Sequence, residues 1–322
     1  MTEPDHSAEA HDLVSEPPDL ELASPDESGA VPAPWTSLPG RRLRVARRWR
    51  NPLGLVGAGI IGFTVLVALV GDQVWALNPS APIYSALSGP TWSHPFGTDE
   101  LGRDTLARVI HGAQVSLEVS LASVAIAFVV GGALGVVCGY ARGAPDALLM
   151  RVVDIMFAFP SLVLAIVVAG LLGPSRRNAT IAIGIAIVPI FARVVRGAVL
   201  ETTSLPYIEA TRSLGAGHGR MILRHVLPNI IPPIIILATI YLGTAILSEA
   251  ALSFLGLGTQ LPEASWGNML NEGRSYISEN VWMSIFPGSA IAIVVLGFNF
   301  LGDGLRDILD PRLVPRGGGA SG

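Results

Sequence analysis

Along most of this chain, apolar runs long enough to cross a bilayer alternate with short polar ones. The runs fall at 53–71, 119–141, 155–172, 179–195, 230–248 and 281–301, which predicts an all-α protein with six spans. Helices suit lipid because they satisfy every backbone polar group internally, and about 20 apolar residues suffice to cross. The 119–141 run is charge-free and holds Gly131, Gly132, Gly135 and Gly139, a composition that lets helices pack closely in lipid. Pro160 and Pro189 fall inside the third and fourth runs, where a kink marks irregular packing or a pathway. Between the fourth and fifth runs lies a polar stretch, YIEATRSLGAGHGRMILRHVLP, from Tyr207 to Pro228. It carries Glu209, Arg212, His218, Arg220, Arg224 and His225, broken by Gly215, Gly217 and Gly219. A charge at mid-bilayer costs about 2.5–3.5 kcal/mol on the most lenient scale, so this stretch must face water. Its pattern predicts a short helix from Pro206 to Leu214, a glycine stop, and a second helical run ending at Pro228. That shape suits a helix presented to a soluble partner.

Composition supports a polytopic membrane protein: half the 322 residues are hydrophobic, 14% are charged, and mean hydropathy is +0.54. The net charge of −4 averages two unlike parts. Residues 1–40 hold nine acidic residues, seven prolines and no Arg, and are predicted to be a disordered acidic tail. That tail lacks the basic and apolar regions of a signal peptide. All 21 basic residues are Arg, and six of them lie at 41–50 (RRLRVARRWR), directly before the first span. Attachment to a span favours a positive-inside anchor over a nucleic-acid patch, and Asn51 and Pro52 suit a helix entry. With six spans and an inside N-terminus, sixteen Arg face the cytoplasm and five (103, 108, 176, 177 and 274) face out. Both termini are therefore expected inside, with the polar stretch on the same side. Cys138 sits in an apolar run with no partner for a disulfide or metal and is read as packing.

Candidate chemistry is sparse. Asp99, Glu100, Arg103 and Asp104 form a charged group ahead of the second span; Thr98 followed by acidic residues is read as a helix start, not a catalytic or metal cluster. Glu249, at the edge of the fifth span, is a candidate for a pathway or an interhelical bond. His94, His111, His218 and His225 lack ligand spacing, which disfavours a membrane enzyme. With no Lys, the sequence contains no Walker A loop, so any ATP chemistry must come from another chain.

Four motifs carry a family resemblance. Glu209-Ala210-Thr211, then Gly215, then His225-x-Leu227-Pro228 resembles the EAA loop of ABC-importer permeases, with Thr211 and His225 where Ala and Ile are usual. The string FGTDELGRD (96–104) resembles a segment ahead of the second span in peptide and nickel importer permeases. EAALSFLGLG (249–258), with Pro262 and Ser265-Trp266-Gly267, resembles the signature of dipeptide and oligopeptide permeases, as does the ending GDGLRDILDPR (302–312). Glu249-Ala250-Ala251 also spells EAA but lacks the following Gly, so it is not the coupling loop. LVPRG (313–317) has the look of a tag scar and is assigned no function.

This resemblance implies a C-type permease subunit of a dipeptide/oligopeptide ABC importer, with the type I importer permease fold. It divides the chain into an acidic tail (1–40), a basic pre-helix (41–52), a first transmembrane helix (53–77) and an external segment (78–113). A five-helix transmembrane domain (114–313) with a coupling loop (197–229) and a flexible tail (314–322) follow. The implied ATPase contact is made by Tyr207, Glu209, Ala210, Thr211, Arg212, Leu214, Gly215, Leu227 and Pro228. Implied partners are a second homologous permease, two cytoplasmic ATPases, an external substrate-binding protein and the lipid bilayer of a bacterial inner membrane, with no nucleic acid. The chain itself would bind no cofactor, ATP and magnesium belonging to the ATPases. Within the same family the alternative cargo is nickel, haem or another small solute. An ion-gradient-driven secondary transporter would need charges at mid-membrane, and the apolar runs supply none.

Overall fold

The computed structural model describes residues 52–309. The acidic tail, the basic run, Asn51, and the C-terminal residues Pro311, Arg312 and LVPRG lie outside them. Apart from one isolated bridge between Thr98 and Asp104, the regular structure among the described residues is helical. The helices are α1 (Pro52–Val74), α2 (Thr105–Ala141), α3 (Ala144–Phe157), α4 (Ser161–Leu172) and α5 (Arg176–Thr203). After them come α6 (Pro206–Ser213), α7 (His218–Met221), α8 (Leu227–Phe254), α9 (Trp266–Gly273) and α10 (Trp282–Leu309). Five are long and apolar enough to cross a membrane, α7 and α8 running on as one, and the pair α3–α4 makes a sixth if counted as a single broken span.

The fold is organised around α2 and α5, which lie side by side and parallel. Gly131, Gly135 and Gly139 form a stripe on α2 that meets the α5 backbone at Val188, Ala192 and Arg196 in turn. The core gathers on this seam, with Val115, Val119, Ile183, Phe191, Val195 and Val199 buried along it and Ile230 and Leu252 of α8 closing the far side. A second cluster, built on Trp266, Ile246, Ile291 and Phe298, ties α9 and α10 to α8. α1 lies against α10, where Gly54 faces Gly304 across a bare backbone contact.

Four boundaries differ from the sequence expectation, each for a physical reason. The third span is not one helix: α3 and α4 meet at 92°, and α3 includes residues expected as a turn at 142–151. Pro160 is the N-cap of α4, and a proline steers the residue before it away from helical backbone, so Phe159 cannot continue α3. Arg196 (Nε and Nη2 at 2.6 Å) grips Asp146, and Arg193 pairs with Asp154 at 2.7 Å, holding α3 across α5. The second helix starts at Thr105, not Thr98, because Asp104 is the N-cap and its carboxylate accepts from the Ala107 amide at 2.7 Å. Thr98 instead staples the preceding loop, donating to the Ser85 carbonyl and accepting from the Ser88 amide. The helical run begun at His218 does not end at Pro228. It passes through a π-helical turn, Ile222–Val226, into α8, with Pro228 in the first turn, where a missing N–H costs little. Likewise α8 continues to Phe254 and α10 to Leu309, beyond the apolar runs that marked them.

The stripe can be tested by a matched pair. A Cβ on Gly135 would stand 2.6 Å from the Ala192 carbonyl oxygen and 2.6 Å from Val195 Cβ, whereas one on Gly132 meets nothing within 4 Å. Gly135→Ala is expected to destabilise the protein by about 1–3 kcal/mol. Gly132→Ala should stay within about ±0.5 kcal/mol. Thermal unfolding in detergent, followed by size-exclusion chromatography, separates the two.

Candidate functional site

The polar insert folds into α6 and α7, set between α5 and α8 at one end of the bundle. α6 starts cleanly because Pro206 occupies its first turn, and Glu209 and Arg212 sit at its first and last turns, as the helix dipole favours. It ends in a Schellman motif: the Gly215 amide reaches the Arg212 carbonyl at 3.0 Å and the Ala216 amide the Thr211 carbonyl at 3.3 Å. Gly215 has φ +83°, so a side chain there would be strained even though open space surrounds it.

Ile208 anchors the helix. It is fully buried. Around it Tyr207, Glu209, Ala210, Arg212, Leu214 and Gly215 make up the exposed face of the insert, with Leu214 89% exposed, while Thr211 is half-buried and bonds its own helix at the Tyr207 carbonyl. Of the two remaining expected contact residues, Pro228 is exposed in α8, and Leu227 packs against the core instead of joining the face. Asn229 donates to the Tyr207 hydroxyl at 3.0 Å and to the His225 carbonyl, pinning α6 to the start of α8. Tyr140 of α2 meets His218 Nδ1 at 2.9 Å, so α7 is tied to the central helix too. Neither Ile208 nor Tyr140 was singled out from sequence. Ile208 carried a signal, a lone aliphatic residue within a polar helix; Tyr140 lies 78 residues from its partner and carried none.

At the opposite end, the charged group before α2 divides: Asp104 caps that helix, and Asp99, Glu100 and Arg103 enter a buried ionic cluster. Arg103 bonds Asp99 through Nε, Glu100 at 2.9 Å and Glu272 at 3.1 Å. Arg108 bonds Asp99 at 3.0 Å and Glu272 at 2.6 Å. Glu272 is on α9, so the cluster welds the 98–104 loop to that helix. Burial pushes the Glu100 carboxyl above its usual range, with Glu272 and Asp99 nearby adding to the shift. Burial works against the Arg103 charge, but Glu272 and Asp99 outweigh it and raise that group as well. The oxygens of Asp99, Glu100 and Glu272 lie within 4.8 Å of one another, a spacing a cation accepts. Two guanidiniums already stand among them and engage these carboxylates as ion pairs.

Glu249 takes the interhelical role. It is 1% exposed and accepts from Ser253 Oγ at 2.7 Å and from Ser116 Oγ of α2 at 3.1 Å. Ser253 in turn accepts from the Thr259 amide at 3.0 Å. Ser265 caps α9 in a reciprocal box with Asn268, which places Trp266 against α2, where its indole donates to the Val109 carbonyl at 3.0 Å. The EAALSFLGLG…SWG string is thus a packing device joining α8, α9 and α2.

Three comparisons bear on this arrangement. A family model described as "Binding-protein-dependent transport system inner membrane component" matches residues 131–315. The chain is 42% identical over 301 residues to a dipeptide transport system permease protein of Alkalihalophilus pseudofirmus, covering 92% of this chain and 96% of that one. It is 40% identical over 292 residues to a probable D,D-dipeptide transport system permease protein of Escherichia coli K12, covering 90% and 98%. A glutathione transport system permease protein of Pectobacterium atrosepticum is 44% identical over 225 residues, covering 70% and 75%. Among solved structures, an inward-facing MetNI methionine ABC transporter superposes with a TM-score of 0.52 at 23% identity, covering 62% of this chain and 95% of that one, and so shares its fold.

The ionic cluster makes a stability prediction. Asp99→Asn removes the carboxylate shared by Arg103 and Arg108, and Arg108 is 1% exposed. Breaking one partner of a buried ion pair strands the other, so a loss of about 3–5 kcal/mol is expected, measured as a lowered melting temperature in detergent.

Proposed function

The chain belongs to the binding-protein-dependent transport system inner membrane component family, and on that premise we propose that it takes up dipeptides or oligopeptides as one of two permeases in an ATP-driven importer. The cargo assignment rests on the names of its relatives, which are permeases for dipeptides, D,D-dipeptides and glutathione. Its partners on this reading are a second, related permease, two cytoplasmic ATPases that bind ATP and magnesium, and an external substrate-binding protein. The chain spans a bacterial inner membrane with both termini inside, an orientation supported by the Arg distribution.

One observation carries the coupling role: α6 is a short helix with a buried foot and a bare outer face, held between two spanning helices. An exposed helix so fixed can take a push from a soluble partner without unfolding. Ile208 transmits it to the core, and the Tyr207–Asn229 bond transmits it to α8. ATP binding would close the two ATPases, carry α6 with them, and switch the spans between inward and outward access. This chain supplies no catalysis of its own on this reading; it converts the motion of its neighbours into a path for the substrate.

Two experiments test this. Purified alone in liposomes, the chain should show no ATP-dependent uptake, and transport by the lone subunit would overturn the reading. In the full complex, Gly215→Val strains the Schellman turn, where left-handed backbone costs a side chain about 1–2 kcal/mol. Glu209→Lys reverses an exposed charge on the contact face. Both should abolish peptide uptake at normal membrane levels of the protein, with the ATPases bound weakly or hydrolysing ATP unproductively. Near-normal uptake in both variants would remove α6 from the coupling role.

A further inference from the structure

At the end of the bundle away from α6, helices α2 and α5 diverge and leave an open cavity of about 330 Å³ between them, at the lower end of the roughly 300–1,000 Å³ usual for small-molecule sites. Its walls are unlike. One is charged, made by Glu118, Arg176 and Arg177; the other is apolar, made by Val119, Ile126 and Ile181. The cavity closes where the helices touch: Ser123 Oγ donates to the Thr180 carbonyl at 2.9 Å, and just beyond it Gly184 leaves Ile126 no spare room.

The charges are unequally committed. Arg176 is held by Glu263 at 2.7 Å and only loosely by Glu118, at 3.4 Å. Glu118 is 60% exposed, so its carboxylate stays available at the rim. Arg177 is exposed and has no ion pair among the described residues, although it stands in the same wall. The cavity therefore offers an uncommitted guanidinium, a loosely held carboxylate and an apolar floor.

We propose that this cavity is the permease's receiving subsite for a short peptide with free termini: Arg177 takes the C-terminal carboxylate, Glu118 the N-terminal ammonium, and the floor an apolar side chain. A guanidinium matches a carboxylate in two parallel hydrogen bonds, which an amide cannot reproduce. This rests on the peptide-importer reading above, under which the cavity opens to the side where a binding protein releases its cargo.

The experiment compares uptake of a radiolabelled apolar dipeptide and of its C-terminal amide by the reconstituted full complex. Variants are Arg177→Gln and Arg177→Lys. The same binding protein loads every assay, so its own preference cancels from each variant-to-wild-type ratio. Arg177→Gln should lower the maximal rate for the free acid about tenfold, the scale of one charge-assisted hydrogen bond, and leave the amide's rate near wild type. Arg177→Lys, which keeps the charge but not the paired hydrogen bonds, should recover only part of the loss. Equal falls for both peptides, no fall for either, or no recovery with Lys would each overturn the subsite. If wild type imports the amide too slowly to measure, the Gln and Lys rates for the free acid decide in the same way. A wild-type complex that imports no peptide at all would instead sink the peptide-importer reading, and this subsite with it.

Discussion

In lipid, apolar side chains gain little by leaving their solvent for one another, so spanning helices hold together by close packing and by the few polar bonds they share. The α2–α5 seam is where this chain meets that constraint. Three glycines four residues apart let two backbones approach until a single methyl group would collide. Everything else is referred to that pair: α8 closes its core, α3 is strapped across α5 by Arg193 and Arg196, and α6 hangs from the end of α5. The parallel register that sets Gly131 against Val188 also sets the start of α5 beside Glu118, 13 residues past Thr105 in α2, which is why Glu118 and the Arg176–Arg177 pair share one cavity.

Polar chemistry is concentrated where the helices leave the apolar layer. One end has the ionic cluster of Asp99, Glu100, Arg103, Arg108 and Glu272, whose ion pairs tie the loop before α2 to α9. The other end has α6, where Glu209 and Arg212 are exposed. One end is therefore cross-linked by buried ion pairs, and the other keeps its charges in the open.

The elements themselves were largely legible from sequence, because an apolar run in lipid has one main way to satisfy its backbone. The exposed α6 was legible too: Pro206 opens it and Gly215 closes it by strictly local chemistry. The failures share a different cause. Thr98 and the acidic residues after it resemble a helix start in one dimension, and only Glu272, 169 residues from Arg103, shows that they belong to an ion-pair cluster. Pro160 is visible in the sequence, but whether a proline bends a span or breaks it depends on what receives the two halves, here the Arg193 and Arg196 straps on α3 and the core that buries Ala165 and Ala169 of α4. At Pro228 the opposite happened. A π-helical turn beside it let the helix continue where the local rule predicts a stop.

That π-helical turn has a mechanical consequence. Because it joins α7 to α8 without a break, residues 218–254 form one continuous helical path of 37 residues, about 55 Å at 1.5 Å per residue. Glu249 lies 31 residues along it, roughly 46 Å from His218 on the same rise. One continuous helix thus carries at one end Asn229, which bonds Tyr207 of α6, and at the other Glu249, which accepts from Ser116 of α2, so the polar insert and the helix seam on the far side share a single backbone.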